Sequence, residues 1–193
     1  SLQADPRMDV FLRREATERR VHEMDRAREL ARRRVVMFAT HGLVPGDIDG
    51  LTQPALALTS PAAVPGAGDG LLTMDEVLGL RLDADWVVLS ACNTAAGEGA
   101  GAEALSGLGR AFFYAGARAL LVSDWPVETT SARQLMTGMF AQLAADPSLG
   151  KAQALRRSML ALIDSPGATG PGGRIEFSYA HPLFWAPFVV VGD

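Results

Sequence analysis

Two apolar runs in this chain each end on a residue with reactive chemistry. The run 35–40, Val-Val-Met-Phe-Ala-Thr, is followed by His41, and the run 86–91, Trp-Val-Val-Leu-Ser-Ala, is followed by Cys92, the only cysteine. Such runs are typical of buried parallel strands that deliver side chains to the carboxyl edge of a sheet. A thiolate is a strong nucleophile, and an adjacent imidazole supplies the base. Because consecutive strands of an α/β unit are often neighbours, the two residues predict a thiol–imidazole pair.

The residues around this pair suit the stabilisation of a developing oxyanion. Gly42 follows His41 directly, so a ligand can approach its N–H, and the N–H of Cys92 provides a second donor. Glycines at 97, 99 and 101 would keep the far wall of the site open. A free cysteine is also a common core residue, with the histidine simply hydrogen-bonded at a strand end. The residue types alone leave both interpretations open.

Composition limits the class of protein. The chain has 193 residues and 48% apolar content, which suits one globular domain with a sizeable core. Its net charge of −4 argues against direct nucleic-acid binding, which depends on a basic surface. One cysteine allows no internal disulfide and predicts a reduced, cytoplasmic setting. No apolar run approaches the ~18 residues of a membrane span, so we expect no membrane association.

The sequence also argues against a cofactor or a metal. The glycine-rich segment 97–101 follows a predicted strand, but it matches neither the dinucleotide-binding nor the P-loop fingerprint. His22, His41, His181 and Cys92 show no metal-ligand spacing. His22 lies among charged residues of a predicted helix, where a surface position is expected. His181 precedes a proline and an aromatic run, which indicates a structural role at the entry to the last strand.

The predicted elements that position the reactive residues alternate between strand and helix. The strands are predicted at 35–39, 54–58, 86–91, 118–123 and 188–191, and the helices at 15–33, 74–79, 103–116, 127–145 and from a Ser148 cap to 163. A capping box, Thr73 to Glu76, begins the second helix, and Pro126 suits the first turn of the fourth. Segment 54–58 is expected to be an edge strand because Pro54 cannot donate to a ladder. The order predicts an α/β sandwich with a mostly parallel sheet.

Four stretches together resemble the CHAT domain, a caspase-like peptidase domain related to caspases and separase. They are Phe-Ala-Thr-His-Gly at 38–42, Val-Leu-Ser-Ala-Cys-Asn-Thr at 88–94, Trp-Pro-Val at 125–127 and His-Pro-Leu-Phe-Trp-Ala-Pro-Phe at 181–188. The resemblance implies a caspase-like three-layer sandwich and a cysteine endopeptidase. By motif position, His41 would be the general base or acid, Cys92 the nucleophile and Gly42 an oxyanion donor.

The resemblance also implies a domain organisation. Family members usually carry two more strands before the histidine strand, whereas here only a loop and one helix precede Val35. The N-terminal strands of the family fold are therefore expected to be missing from this chain. We divide the chain into an N-terminal loop and amphipathic helix, 1–34, and a peptidase core, 35–193. The family is often attached to tetratricopeptide repeats, so a repeat or other regulatory module is an expected partner.

In related proteases the segment after the next strand lines the pocket for the residue before the cut. Here that segment contains Ser123, Asp124 and Trp125, and Ser90 at the end of the cysteine strand joins this expected substrate-binding set. A carboxylate at Asp124 would favour arginine or lysine by direct charge pairing. Asp124 could equally cap the helix after Pro126, and Trp125 could form a pocket wall or belong to the core.

The function predicted on this basis is hydrolysis of peptide bonds in a protein or peptide substrate by a Cys92–His41 dyad, regulated by a partner or sensor module. The alternative is a catalytically silent scaffold that keeps the fold and binds partners through its loops. A thiol hydrolase acting on a small ester or amide would share the chemistry but would have a closed pocket. The loops 60–70 and 164–174, rich in proline and glycine, are expected to become ordered on activation.

Overall fold

The structure is a computed structural model, and it describes residues 4–89, 100–125, 127–170 and 172–192, with the backbone alone for 100–106. The strands are β1 (Val35–Phe38), β2 (Gly42–Leu43), β3 (Ala55–Ala57), β4 (Leu71–Thr73), β5 (Trp86–Leu89), β6 (Ala119–Ser123), β7 (Ala168–Thr169), β8 (Ile175–Phe177) and β9 (Phe188–Gly192). The helices are α1 (Glu18–Arg26), α2 (Met74–Gly79), α3 (Ala100–Tyr114), α4 (Thr129–Ala145) and α5 (Lys151–Ile163).

Four strands form the central sheet in the order β1-β5-β6-β9. β1, β5 and β6 run parallel, whereas β9 is antiparallel to β6. All four residues of β5 are buried, as expected for a central strand covered on both faces. β1 lies at one edge of the sheet, where Met37 is 45% exposed. The predicted mixed α/β architecture with a mostly parallel sheet is confirmed.

Successive side chains of β5 enter two different cores because strand residues alternate between faces. Val87 and Leu89 belong to a cluster with Leu108 and Phe112 of α3, on the face that α1 and α2 also cover. Trp86 and Val88 belong to a second cluster, with side chains of α4 and α5. Helices therefore cover both faces of the central sheet, which makes a three-layer sandwich.

A smaller antiparallel sheet, in the order β2-β3-β4, lies beside the end of β1. The prediction that segment 54–58 forms an edge strand is wrong, because β3 pairs on both sides. Pro54 precedes the strand, so its missing N–H interrupts no ladder, and its carbonyl accepts from the N–H of Met74 at 2.9 Å. Both partner strands of β3 come from segments without a strand pattern of their own.

The helix boundaries follow local capping. The capping box between Thr73 and Glu76 is present, and α2 covers the predicted residues. The predicted first helix is too long: α1 ends at Arg26, and Arg28 adopts a left-handed φ of +58° that terminates it. Ser148 does not cap α5, because Gly150 is the N-cap residue. The Ser148 hydroxyl instead donates to Asp146 Oδ1 at 2.6 Å.

The amino edge of the central sheet is held by ion pairs. Arg118 contacts Asp83 at 2.5 Å and Asp85 at 3.1 Å, and Arg34 contacts Asp85 at 2.6 Å. These charges tie together the segments that enter β1, β5 and β6. His41 follows β1 at the opposite, carboxyl edge of the sheet. No helix among the described residues combines the length and the apolar character needed to cross a bilayer.

Candidate active site

His41 is positioned by the turn that leads from β1 into β2. Its carbonyl accepts from the N–H of Ala57 at 2.8 Å, and the Thr40 hydroxyl donates to the Ala57 carbonyl. The His41 carbonyl and the side chain of Thr40 are thus both hydrogen-bonded to β3, whereas His41 itself is exposed. The His41 imidazole is therefore accessible to solvent while its backbone is held in place, as a group that contacts a substrate requires.

Gly42 is the first residue of β2 and pairs with Leu56 of β3. It is buried, although the preceding residue is exposed. The predicted oxyanion donor therefore belongs to an ordered strand beside the carboxyl edge of the central sheet. This pairing was not visible in the sequence, where the residues after His41 indicate a loop.

The register of the central sheet relates the histidine strand to the cysteine strand. Phe38 of β1 lies directly opposite Leu89 of β5, and the two strands are parallel. His41 is the third residue after Phe38, and Cys92 is the third residue after Leu89 in the sequence. Cys92 and Ser90 themselves lie outside the described residues.

The end of β6 lies at the same edge, one strand further across the sheet. Neighbouring strands are about 4.8 Å apart, so the ends of β1 and β6 are separated by about 10 Å, with β5 between them. Ser123 ends β6, is 2% exposed and pairs with Phe188 of β9. The N–H of Asp124 donates to the Pro187 carbonyl at 3.0 Å. The predicted pocket segment is thus anchored to the last strand.

The carboxyl group of Asp124 is half-buried, and burial raises its pKa above the ordinary aspartate value. Asp124 does not cap the following helix. Glu128 is the N-cap residue of α4, and its two carboxylate oxygens accept from the N–H groups of Thr130 at 2.8 Å and Ser131 at 2.7 Å. No hydrogen bond or ion pair to the Asp124 carboxylate occurs in the described part of the chain.

Trp125 connects the segment after β6 to the aromatic run near the C-terminus. The indole is half-buried, and its Nε1–H donates to the Leu183 carbonyl at 3.3 Å. His181 caps the short 3₁₀ helix Pro182–Phe184, because its Nδ1 accepts from the Leu183 N–H at 3.2 Å. The structural role predicted for His181 is therefore confirmed. Pro126 lies outside the described residues.

A cluster that the sequence analysis missed lies away from this edge. Glu18 and His22 of α1 and Glu76 of α2 each direct a ligand atom into one small region, and these atoms lie within 4.8 Å of one another. The His22 side chain is 32% exposed, and its ring contacts Glu76, a partner that the sequence analysis did not identify. The spacing of Glu18 and His22 by four residues places them on one helix face and was the available signal. Glu76 could not be added from spacing alone.

The sequence was compared with protein families and with curated proteins. A profile of the CHAT domain matches residues 1–193, the whole chain. Tetratricopeptide repeat protein 28 of Mus musculus is 32% identical over 127 residues, which is 64% of this chain. The protein of the same name from Homo sapiens is 29% identical over 127 residues. The chain spans only 4% of the length of these two relatives.

Proposed function

The chain belongs to the CHAT domain family, and from this membership we propose that it is a cysteine endopeptidase in which Cys92 is the nucleophile and His41 is the general base and acid. The family is caspase-like, and the sheet described above has the architecture that such a peptidase uses. The substrate we propose is a protein or peptide that binds in an extended form along the carboxyl edge of the sheet.

One observation carries the proposal: the in-register pairing of β1 with β5. Because Phe38 faces Leu89, two parallel strands reach the carboxyl edge together, and each is followed at the third residue by one member of the dyad. The backbone at His41 is fixed to β3, so the position of the imidazole depends on few torsions. Holding the reacting groups in place before the reaction can supply a large part of a rate enhancement.

The proposed reaction has two stages. The thiol proton of Cys92 passes to His41, and the thiolate attacks the scissile carbonyl carbon. The N–H groups of Gly42 and Cys92 stabilise the oxyanion of the tetrahedral intermediate. The C–N bond then breaks as His41 returns the proton to the leaving amine. Water, deprotonated by His41, hydrolyses the thioester and releases the second product, which regenerates the thiol.

We propose that Asp124 recognises arginine or lysine in the residue before the cut, with Ser90, Ser123 and Trp125 lining the same pocket. The half-buried carboxylate of Asp124, which has no hydrogen-bond or ion-pair partner among the described residues, supports this assignment, and Glu128 takes the capping role that would otherwise explain an acid here. A charge-assisted hydrogen bond contributes about 1.5–3 kcal/mol, which corresponds to about a 10- to 150-fold preference over a neutral residue.

We further propose that a regulatory module controls this activity. The support is the name of the two curated relatives, tetratricopeptide repeat protein 28, in which a sequence similar to this chain occupies a small part of the whole. A reduced, cytoplasmic compartment suits an enzyme that depends on a free thiol. The division into an N-terminal segment, 1–34, and a peptidase core, 35–193, is part of the same proposal.

The test is cleavage of a peptide library by the protein, beside Cys92→Ala and His41→Asn. We expect cuts after arginine or lysine that both substitutions abolish, while Glu23→Gln, at an exposed residue of α1, retains activity. Undiminished cleavage by Cys92→Ala would refute the dyad. If no peptide is cut, the rate of Cys92 alkylation at neutral pH distinguishes a latent enzyme, whose thiolate reacts fast, from a silent scaffold.

A further inference from the structure

Glu18, His22 and Glu76 converge where the first helix meets the second, in a region that the proposed dyad does not use. His22 Nε2 lies 3.1 Å from Glu76 Oε1 and 3.8 Å from Glu18 Oε1. We infer that these three side chains form a binding site for a divalent metal ion of the zinc class. The donor set of one imidazole nitrogen and two carboxylate oxygens is one that Zn²⁺ accepts in proteins.

The two separations that involve the His22 nitrogen are close to those around a tetrahedral ion, and all three donor atoms lie within 4.8 Å of one another. Zinc binds nitrogen and oxygen ligands at about 2.0–2.2 Å, so two ligands of a tetrahedral site lie about 3.4 Å apart. The measured separations from His22, 3.1 and 3.8 Å, lie on either side of that value. Binding of a tetrahedral ion would bring each pair of donor atoms to a separation of about 3.4 Å, and one coordination position would remain for water.

The second oxygen of each carboxylate is already held by the backbone. Glu18 Oε2 accepts from the N–H groups of Asp69 at 2.8 Å and Gly70 at 3.3 Å. Glu76 Oε2 accepts from the N–H of Thr73 at 2.8 Å and from its hydroxyl at 2.7 Å. Such outer contacts orient metal-binding carboxylates, and they leave the Oε1 atom of each glutamate directed at His22.

The loop formed by residues 66–70 contacts the start of α1 and leaves space for the Glu18 carboxylate. A Cβ atom at Gly68 would overlap that carboxylate, and Gly68 has a φ of +101°, which side-chain-bearing residues rarely adopt. The same loop accepts two hydrogen bonds from Arg19, one from its N–H to Ala67 at 3.1 Å and one from its guanidinium to Gly66 at 3.0 Å. Only 14% of the Glu18 side chain is exposed.

The electrostatics of the cluster favour a cation. Burial raises the pKa of Glu18, and the negative charge of Glu76 raises it further. Burial also acts to raise the pKa of Glu76, but hydrogen bonds from Thr73 and His22 outweigh it and lower the pKa. Two carboxylates that face one imidazole at close range repel each other, and a divalent ion between them would remove this repulsion.

A bound ion would join three segments of one face of the domain. α1 contributes Glu18 and His22, the loop at 68–70 holds Glu18, and α2 contributes Glu76. α2 begins directly after β4, which pairs with β3, and β3 fixes the backbone of His41. The site is therefore a structural one, whose occupancy would stabilise the small sheet that supports the proposed catalytic histidine.

The test is a calorimetric titration with ZnCl₂ in a Cys92→Ser background, which removes the one thiol that could bind zinc by itself. We expect one ion per chain, and in the same background His22→Gln should weaken binding by at least about tenfold. Glu23→Gln is the matched control, because Glu23 is on the same helix and, among the described residues, its side chain pairs with the exposed Arg19 and Arg20 rather than with the cluster, so the change should leave binding unchanged. Equal affinity with and without the imidazole would overturn the assignment.

A second measurement needs no substitution in the cluster, so it holds even if His22→Gln fails to fold. Nitrogen NMR of the three histidine rings during zinc addition, again in the Cys92→Ser background, should show a shift of the His22 Nε2 resonance, while the rings of His41 and His181 do not change. If His22 does not respond, or if no saturable zinc binding occurs, the three side chains form only a histidine–carboxylate ion pair and the proposal is wrong.

Discussion

Replacing Glu128 by alanine removes the group that begins α4. Both carboxylate oxygens of Glu128 accept backbone hydrogen bonds, from Thr130 and Ser131. Loss of a helix N-cap costs about 0.5–2 kcal/mol, and loss of a negative charge at a helix N-terminus adds about 0.3–1 kcal/mol. Because two N–H groups lose their acceptor, we expect the free energy of unfolding to fall by about 2 kcal/mol, with a Tm lower by about 4–8 °C.

The pH dependence gives this prediction a second, independent test. Burial acts to raise the pKa of Glu128, but the hydrogen bonds from Thr130 and Ser131 outweigh it, so the pKa lies below the ordinary value of 4.5. A carboxylate with a lowered pKa in the folded state stabilises the fold above its unfolded pKa, and this contribution is lost as the pH falls through the folded pKa. The stability difference between wild type and Glu128→Ala should therefore be full at pH 7 and shrink below pH 4.5.

Urea unfolding of wild type, Glu128→Ala and Glu23→Ala across this pH range measures the effect. Glu23 is a matched control, because it is a helical glutamate whose side chain is 48% exposed and whose ion pairs, at 3.7 and 3.8 Å, are at the surface. Such pairs contribute little, so Glu23→Ala should change stability by less than about 1 kcal/mol. The reasoning is refuted if the two variants are equally stable at pH 7, or if the effect of Glu128→Ala does not diminish in acid.

Three further outcomes are expected. Gly116→Ala should lower the free energy of unfolding by more than about 1 kcal/mol in a urea titration, because Gly116 has a φ of +110° and a Cβ atom there would overlap the Leu82 carbonyl. Gly79 is the control: a Cβ atom there meets open space, so Gly79→Ala should not destabilise the protein. Leu56→Ala should cost about 2–5 kcal/mol, because the side chain is 0% exposed in the core, and a smaller loss in the same titration would contradict the packing. Asp124→Asn should reduce kcat/KM for peptides with arginine before the cut by about tenfold or more, with little effect on apolar peptides, and an unchanged ratio between the two would exclude Asp124 from the pocket.

The sequence was most informative where one short segment contains the whole signal. The apolar runs before His41 and before Cys92 predicted two neighbouring strands, and the structure pairs β1 with β5 directly. The capping box predicted α2 to the residue, because its two hydrogen bonds join groups only three positions apart. The roles of His41 and Cys92 in catalysis stay predictions.

The sequence was less informative where partners are far apart along the chain. β3 is the central strand of the small sheet because two segments without strand patterns pair with it. β7 lies within the predicted loop 164–174, and β8, its antiparallel partner, follows directly after that loop. The end of α1 depends on a left-handed Arg28, a conformation that the helical periodicity of residues 15–33 did not indicate. In each case the energy that decides the structure comes from tertiary contacts rather than from local propensity.

By itself, then, the sequence determined the order of the five helices and of the four central strands, the class of fold and the residues with reactive chemistry, because hydrophobic periodicity and side-chain type are local properties. The tertiary structure alone decided which groups face one another. It brings Glu76 to within 3.1 Å of His22 across 54 residues of chain, and it gives the capping role to Glu128 rather than to Asp124. Contacts between residues so far apart in the sequence depend on how helices and loops pack against the sheets, and no short stretch of sequence encodes that packing.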